Sequence, residues 1–200
     1  MKQAIIILAL LMGFAVPTMA QNKNKKVEDR IQLAREKYAE ALANIAYQMD
    51  EGTPANYTTV VRQQNWAAVG ERTDKMEFYY NEIEEEGEPY PVGYALLMAR
   101  RTYNITVRDH LEEYLYDDNG KPLFYFTRFQ EFISGVDYFP TFEIRLYFDE
   151  NGEMIRSIYK MSDENGKMKE FTEKTHPELM NELYLDFDFS YIKNVFDAIY

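Results

Sequence analysis

Three near-identical turns do most to limit what this chain can fold into. Asp117-Asp118-Asn119-Gly120, Asp149-Glu150-Asn151-Gly152 and Asp163-Glu164-Asn165-Gly166 each follow a run containing at least one aromatic residue. Asn-Gly reaches positive φ at little steric cost, which makes it the strongest short-range signal for a hairpin. Three of them between residues 117 and 166 predict an antiparallel meander. Their first residues lie 32 and 14 positions apart, so this is recurrent turn chemistry and not a repeat of fixed period.

The strands that such turns would join are visible as period-two alternation. Phe142, Ile144, Leu146 and Phe148 alternate with Glu143, Arg145 and Tyr147, the pattern of a strand with one face buried and one wet. A longer run from Gly93 to Arg108 alternates through Ala95, Leu97, Ala99, Arg101, Tyr103, Ile105 and Val107, with Arg101 interrupting an apolar face. Further strands are expected at 57–63, 75–82, 111–117, 121–130, 153–161 and 168–173. Ahead of them Val27, Ile31, Ala34, Tyr38, Ala41, Ile45 and Met49 recur every three or four residues. That spacing predicts an amphipathic helix, ended by Gly52 and Pro54. Pro177 suits the first position of a short helix, and Tyr191, Val195, Phe196 and Ile199 mark a second one near the C-terminus.

Residues 1–20, MKQAIIILALLMGFAVPTMA, have the parts of a secretory signal: Lys2, an apolar run from Ala4 to Val16, and small residues at Thr18 and Ala20. The run has 13 residues, against about 20 for a spanning helix. Cleavage after Ala20, a polar disordered lead over 21–26, and one α+β domain over 27–200 are therefore expected, with a periplasmic or secreted location. Without any cysteine, the mature chain has neither disulfides nor a lipid-modified cysteine. The net charge is −12, and loss of Lys2 with the leader takes it to −13. That balance excludes unassisted binding to nucleic acid and to an anionic membrane surface.

Chemistry-bearing patterns are sparse. Aligning each turn glycine with the sixth position of an EF-hand loop puts Leu115, Tyr147 and Met161 first and Phe126, Ile158 and Thr172 last, none of them acidic, so a metal site is not expected. Ser134, Ser157, Ser162 and Ser190 lie in no GxSxG setting. His110 and His176 are too far apart in sequence to suggest a zinc set. Phosphate-cradling glycine motifs are absent, so no cofactor and no catalytic residue is nominated. The acidic run at 84–88 reads as a solvated loop.

Aromatic residues are the remaining excess, with 17 Tyr, 13 Phe and one Trp. Tyr114 and Tyr116 share one face of their strand, and Phe124 and Phe126 share a face of the next, opposite Leu123, Tyr125 and Phe129. A sheet with rings on both faces either has both covered by helices or presents one to a partner. Trp66 sits in a small-residue loop, as a plug or as a stacking residue. Trp66, Tyr114, Tyr116, Phe124 and Phe126 are accordingly the candidate ligand-binding residues.

With its leader, long Ala-containing helix, aromatic meander and DxNG turns, the chain resembles the uncharacterised exported hairpin-rich proteins of Gram-negative bacteria. Its turns also resemble those of exported tyrosine-aspartate hairpin repeats. The resemblance implies export and supplies no functional residue. The fold expected is α+β, a long N-terminal helix packed on a twisted antiparallel meander of about seven or eight strands, with short C-terminal helices. The function expected is non-catalytic binding of a small molecule, a glycan or a protein, without a stable membrane anchor. A half-barrel carrier of an apolar ligand and a carboxylate-based hydrolase are the alternatives.

Overall fold

A computed structural model describes residues 17–52, 56–67, 70–105, 108–133, 137–183, 185 and 187–200. Helix α1 (Pro17–Glu51) precedes eight strands: β1 (Tyr57–Trp66), β2 (Gly70–Ile83), β3 (Gly93–Ile105), β4 (Arg108–Tyr116), β5 (Pro122–Gln130), β6 (Thr141–Phe148), β7 (Met154–Ser162) and β8 (Met168–Phe171). Helices α2 (Pro177–Glu182) and α3 (Phe189–Asp197) follow. The strands pair in chain order, every neighbour antiparallel, in one open sheet. The α+β meander expected from turn chemistry is the fold observed.

The three DxNG turns are built alike. In each, an Asp oxygen, Oδ1 of Asp117, Asp149 or Asp163, accepts from the backbone N–H groups two and four residues on, at 2.8–3.0 Å. The glycine closes the turn by donating to the same Asp carbonyl, with φ of 69°, 82° and 78° at Gly120, Gly152 and Gly166. A side chain at these glycines would be strained whatever the room around it. The aspartate thus does backbone work inside the turn.

Helix α1 starts earlier than the apolar spacing predicts and runs through 21–26, where a disordered lead is expected. Gln and Lys favour helix, and extending a nucleated helix adds one hydrogen bond for each residue fixed. The apolar leader run from Ala4 to Val16 lies outside the described residues. At the other end Met49 is exposed, so the docked stripe stops at Ile45.

Two apolar layers flank the sheet. On one face Ile31, Ala34 and Ile45 of α1, with half-buried Tyr38, pack on Tyr79, Met98, Leu115, Leu123, Phe124, Phe126 and Tyr147. On the other, Phe189, Ile192 and Phe196 of α3 and Leu179 of α2 pack on Phe78, Tyr80, Tyr114, Tyr116, Tyr125, Phe142, Ile144 and Leu146. Burying each large side chain contributes roughly 1.5–3 kcal/mol, so the two layers hold the chain together without a cross-link. One detail departs from strict alternation. The register shifts between Leu115 and Tyr116, and this bulge turns Leu123 onto the α1 face beside Phe124 instead of opposite it.

Candidate functional site

The α1 face of the sheet changes character along every central strand. Beneath the helix, one cross-strand row reads Tyr57, Tyr79, Met98, Leu115, Phe124 and Tyr147. Two residues along, the row reads Thr59, Glu77, Arg100, Glu113, Phe126 and Arg145. Two further along it reads Val61, Lys75, Thr102, Leu111, Arg128 and Glu143. From β2 to β6, aromatic and aliphatic residues give way first to a row of ionic side chains broken by Phe126 and then to polar side chains broken by Leu111. Helix α1 crosses the apolar row and leaves the polar one open.

The ion-pair row is the wall between the two halves. Arg100 donates to Oε1 of Glu113 from Nε at 2.8 Å and approaches it from a terminal nitrogen at 2.7 Å. The Tyr38 hydroxyl of α1 donates to the other oxygen of the same carboxylate. Burial and the adjacent Glu113 charge push the Tyr38 hydroxyl far above its ordinary pKa. It therefore stays protonated as a donor, which ties the helix to the wall. Glu77 accepts from Tyr57 and Lys75, each at 2.8 Å.

Beyond the wall lies a groove of about 950 Å³ across β2 to β6. Thr73, Lys75, Thr102, Asn104, Leu111 and Arg128 are among its lining residues, and the side chains of all six are at least partly accessible. Four strand spacings of about 4.8 Å give it a width of about 19 Å. Glu71 and Asp109 also line it, so two cationic and two anionic side chains balance. Among the described residues Arg128 makes no ion pair. Asn104 is already engaged, accepting from the Thr73 N–H at 2.8 Å and donating to the Glu71 carbonyl at 3.1 Å, while the Thr73 and Thr102 hydroxyls can each donate and accept toward a ligand. No family model, curated protein or solved structure matches the chain.

The residues singled out from sequence lie elsewhere. Tyr114, Tyr116, Phe124 and Phe126 are 1%, 3%, 3% and 8% exposed, two in the α3 layer and two in the α1 layer. The first two pack against Phe189 of α3 at ring-centre distances of 5.2 and 5.3 Å. These four rings lie in the layers beneath α1 and α3, so they serve as core and present no aromatic platform to a partner. Asn65 and Trp66 end β1, with Trp66 opposite Gly70, so these two positions expected in a loop are strand; the Trp66 side chain lies outside the described residues.

An apolar carrier would need space between helix and sheet, but the space found there is about 100 Å³, bordered by Asn44, Gln48 and Asn56 as well as Ile45 and Met98. Glu112, whose carboxyl burial pushes above the usual carboxylate range, belongs to the α3 face. Its carboxylate accepts from Arg101 at 3.4 Å, Tyr103 at 3.1 Å and Tyr114 at 2.9 Å, while Arg101 also grips Asp74 with two bonds at 2.9 and 2.6 Å. Burial raises the Glu112 pKa against the pull of Arg101 and the two hydroxyls. Every partner here is a neighbour within the sheet, so the arrangement is an internal ion cluster that explains why Arg101 interrupts its face.

Sequence reasoning missed Lys75, Thr102, Asn104 and Arg128 because it looked for aromatic excess. The signal that points to them is the apolar-to-polar gradient within single strands, as in Met98-Arg100-Thr102-Asn104 and Phe124-Phe126-Arg128-Gln130. It acquires meaning only when the register aligns the gradients of five strands.

Proposed function

We propose that this protein is an exported, non-catalytic binding protein that takes an extended hydrophilic ligand, a glycan by the chemistry of the lining, in the groove beside α1. The observation that carries this reading is the alignment of polar side chains from four strands, Lys75, Thr102, Arg128 and Glu143, broken only by Leu111 on β4, beyond a row of ionic side chains. A groove that sets threonine hydroxyls, Lys75 and Arg128 among ring and aliphatic surfaces such as Tyr103 and Leu111 suits hydroxyl-rich ligands with apolar ring faces better than lipids. Export is supported by the form of residues 1–20. Cleavage after Ala20 would remove the first four residues of α1 and leave the docked stripe from Val27 to Ile45 intact.

Titration calorimetry with neutral hexose oligosaccharides, uronate oligosaccharides and a medium-chain fatty acid tests the ligand class. Saturable heat with an oligosaccharide that falls at least tenfold in Thr102→Val and Arg128→Ala supports the proposal. Binding of the fatty acid alone, or of nothing in the panel, overturns it. Terminal sequencing of the product from its native cell tests export. Gln21 as first residue supports it, and retained Met1 contradicts it.

A further inference from the structure

The two edges of the sheet are unlike. Strand β8 has four residues, Met168–Phe171, with Lys169 and Glu170 between its apolar ends, and α2 follows it closely. These are ordinary devices for blunting an edge. Strand β1 has ten residues, YTTVVRQQNW, with a β-branched run from Thr58 to Val61, no proline, no lysine and no acid. Among the described residues it pairs only with β2. A row of backbone donors and acceptors on its outer side is left open over about 33 Å.

We infer that β1 is a pairing edge whose partner is β1 of a second copy of this chain, joined antiparallel about a two-fold axis. In an antiparallel ladder, residues directly opposite each other share a face. The register that sets Val61 against itself also sets Val60 against Arg62, Thr59 against Gln63 and Thr58 against Gln64. It brings no two like charges directly opposite. Arg62, the one charged residue of β1, already lies across from Asp74 on β2. In a chain with net charge −12, this edge lets two copies meet without acid facing acid.

The exposed apolar residues nearby fit the same partner. Val61 is 55% exposed at the middle of the edge, and the last turns of α1 carry Tyr47 at 68% and Met49 at 45% exposure. Helix α1 reaches this corner, where Asn44, Ile45 and Gln48 meet Asn56 and Tyr79. A two-fold perpendicular to the sheet keeps both α1 helices on one side and at opposite ends of the paired strands. The helix end of one copy then faces the groove end of the other.

Sedimentation equilibrium of the purified full chain at 1–200 µM tests the pairing. A mass twice that of the same chain as a monomer is expected, and Val61→Lys, which sets two ammonium groups against each other, should raise the dissociation constant at least tenfold. Glu170→Lys at the other edge should leave it unchanged. Circular dichroism confirms that the variants are folded. Hydrogen exchange of wild-type β1 amides, which needs no variant, should slow as concentration rises. A wild-type monomer at 200 µM, a dimer indifferent to Val61→Lys, or concentration-independent exchange in β1 overturns the inference.

Discussion

Arg30 of α1 donates to the Asp117 carboxylate of the first DxNG turn at 2.8 Å, with both side chains largely buried. The same arginine donates through Nε to the Phe148 carbonyl at 3.2 Å, so one side chain pins the helix to the ends of β4 and β6. Asp117 also accepts from the N–H groups of Asn119 and Lys121. Hairpin chemistry and helix docking therefore meet in a single carboxylate.

Asp117→Ala should lower stability by about 2–4 kcal/mol, since it removes the turn bonds and leaves a buried guanidinium unpaired. Asp149→Ala, in a turn without that ion pair, should cost less. Burial raises the Asp117 pKa, but the bonds from Arg30, Lys121 and Asn119 outweigh it and hold the carboxyl below its ordinary value. Stability from this group is therefore complete above the unfolded pKa of about 3.9 and is lost as pH falls through the lower folded value. Urea denaturation of both variants between pH 2.5 and 6 checks the ranking and the direction.

Glu112 should act with the opposite sign. Its folded pKa is raised by burial beyond what Arg101, Tyr114 and Tyr103 recover. The unfolded chain then releases its proton first, and stability falls as pH rises from about 4.3 through the folded value. Glu112→Gln should flatten that fall, so the stability difference moves in favour of the variant as pH rises across the window. Equilibrium unfolding of both proteins from pH 4 to 8 reads it.

Core and groove should separate cleanly under mutation. Phe124→Ala, at a ring packed 4.8 Å from Tyr38 of α1, should cost about 3–5 kcal/mol. Arg128→Ala, two strand positions beyond Phe126 on the same face, should change stability by no more than about 0.5 kcal/mol. Thermal and urea unfolding check both. Loss of ligand binding only in the second variant is the signature of a groove that is not part of the core.

The Gly120 backbone gives a further test of the turns. At φ 69°, Gly120→Ala should cost about 1 kcal/mol through backbone strain, although the nearest atom that a Cβ would meet, on Lys193, is 3.9 Å away. Gly120→Asn should cost less, because asparagine tolerates the left-handed region. The difference between their unfolding midpoints measures conformation free of steric crowding.

The eight strands were legible because their determinants are local. Asn-Gly turns and two-residue alternation act within one hairpin, and the strand expected at 142–148 is observed at Thr141–Phe148. Both docking helices left their apolar spacing in the chain, as at Ile31, Ala34 and Ile45. The groove was not legible, because no single strand shows where a helix stops covering a face. Thr102 and Arg128 read as ordinary solvent positions until β3, β4 and β5 are set in register. The bulge at Leu115/Tyr116 is likewise a property of a pair of strands, so strict alternation alone sets Leu123 on the wrong face. Asn65 and Trp66 look like a loop in isolation and become strand only through pairing with Glu71 and Gly70.

The chain contains no cysteine, so a single introduced thiol reports directly on whether α1 covers only half of its face. Met98 and Thr102 lie on that face of β3, four residues apart, one in the row beneath the helix and one in the open row. In native buffer Thr102→Cys should react with a maleimide at close to the rate of a free thiol, while Met98→Cys should stay protected until denaturant unfolds the chain. Equal protection or equal reactivity of the two thiols would contradict the division of the sheet on which the proposed site depends.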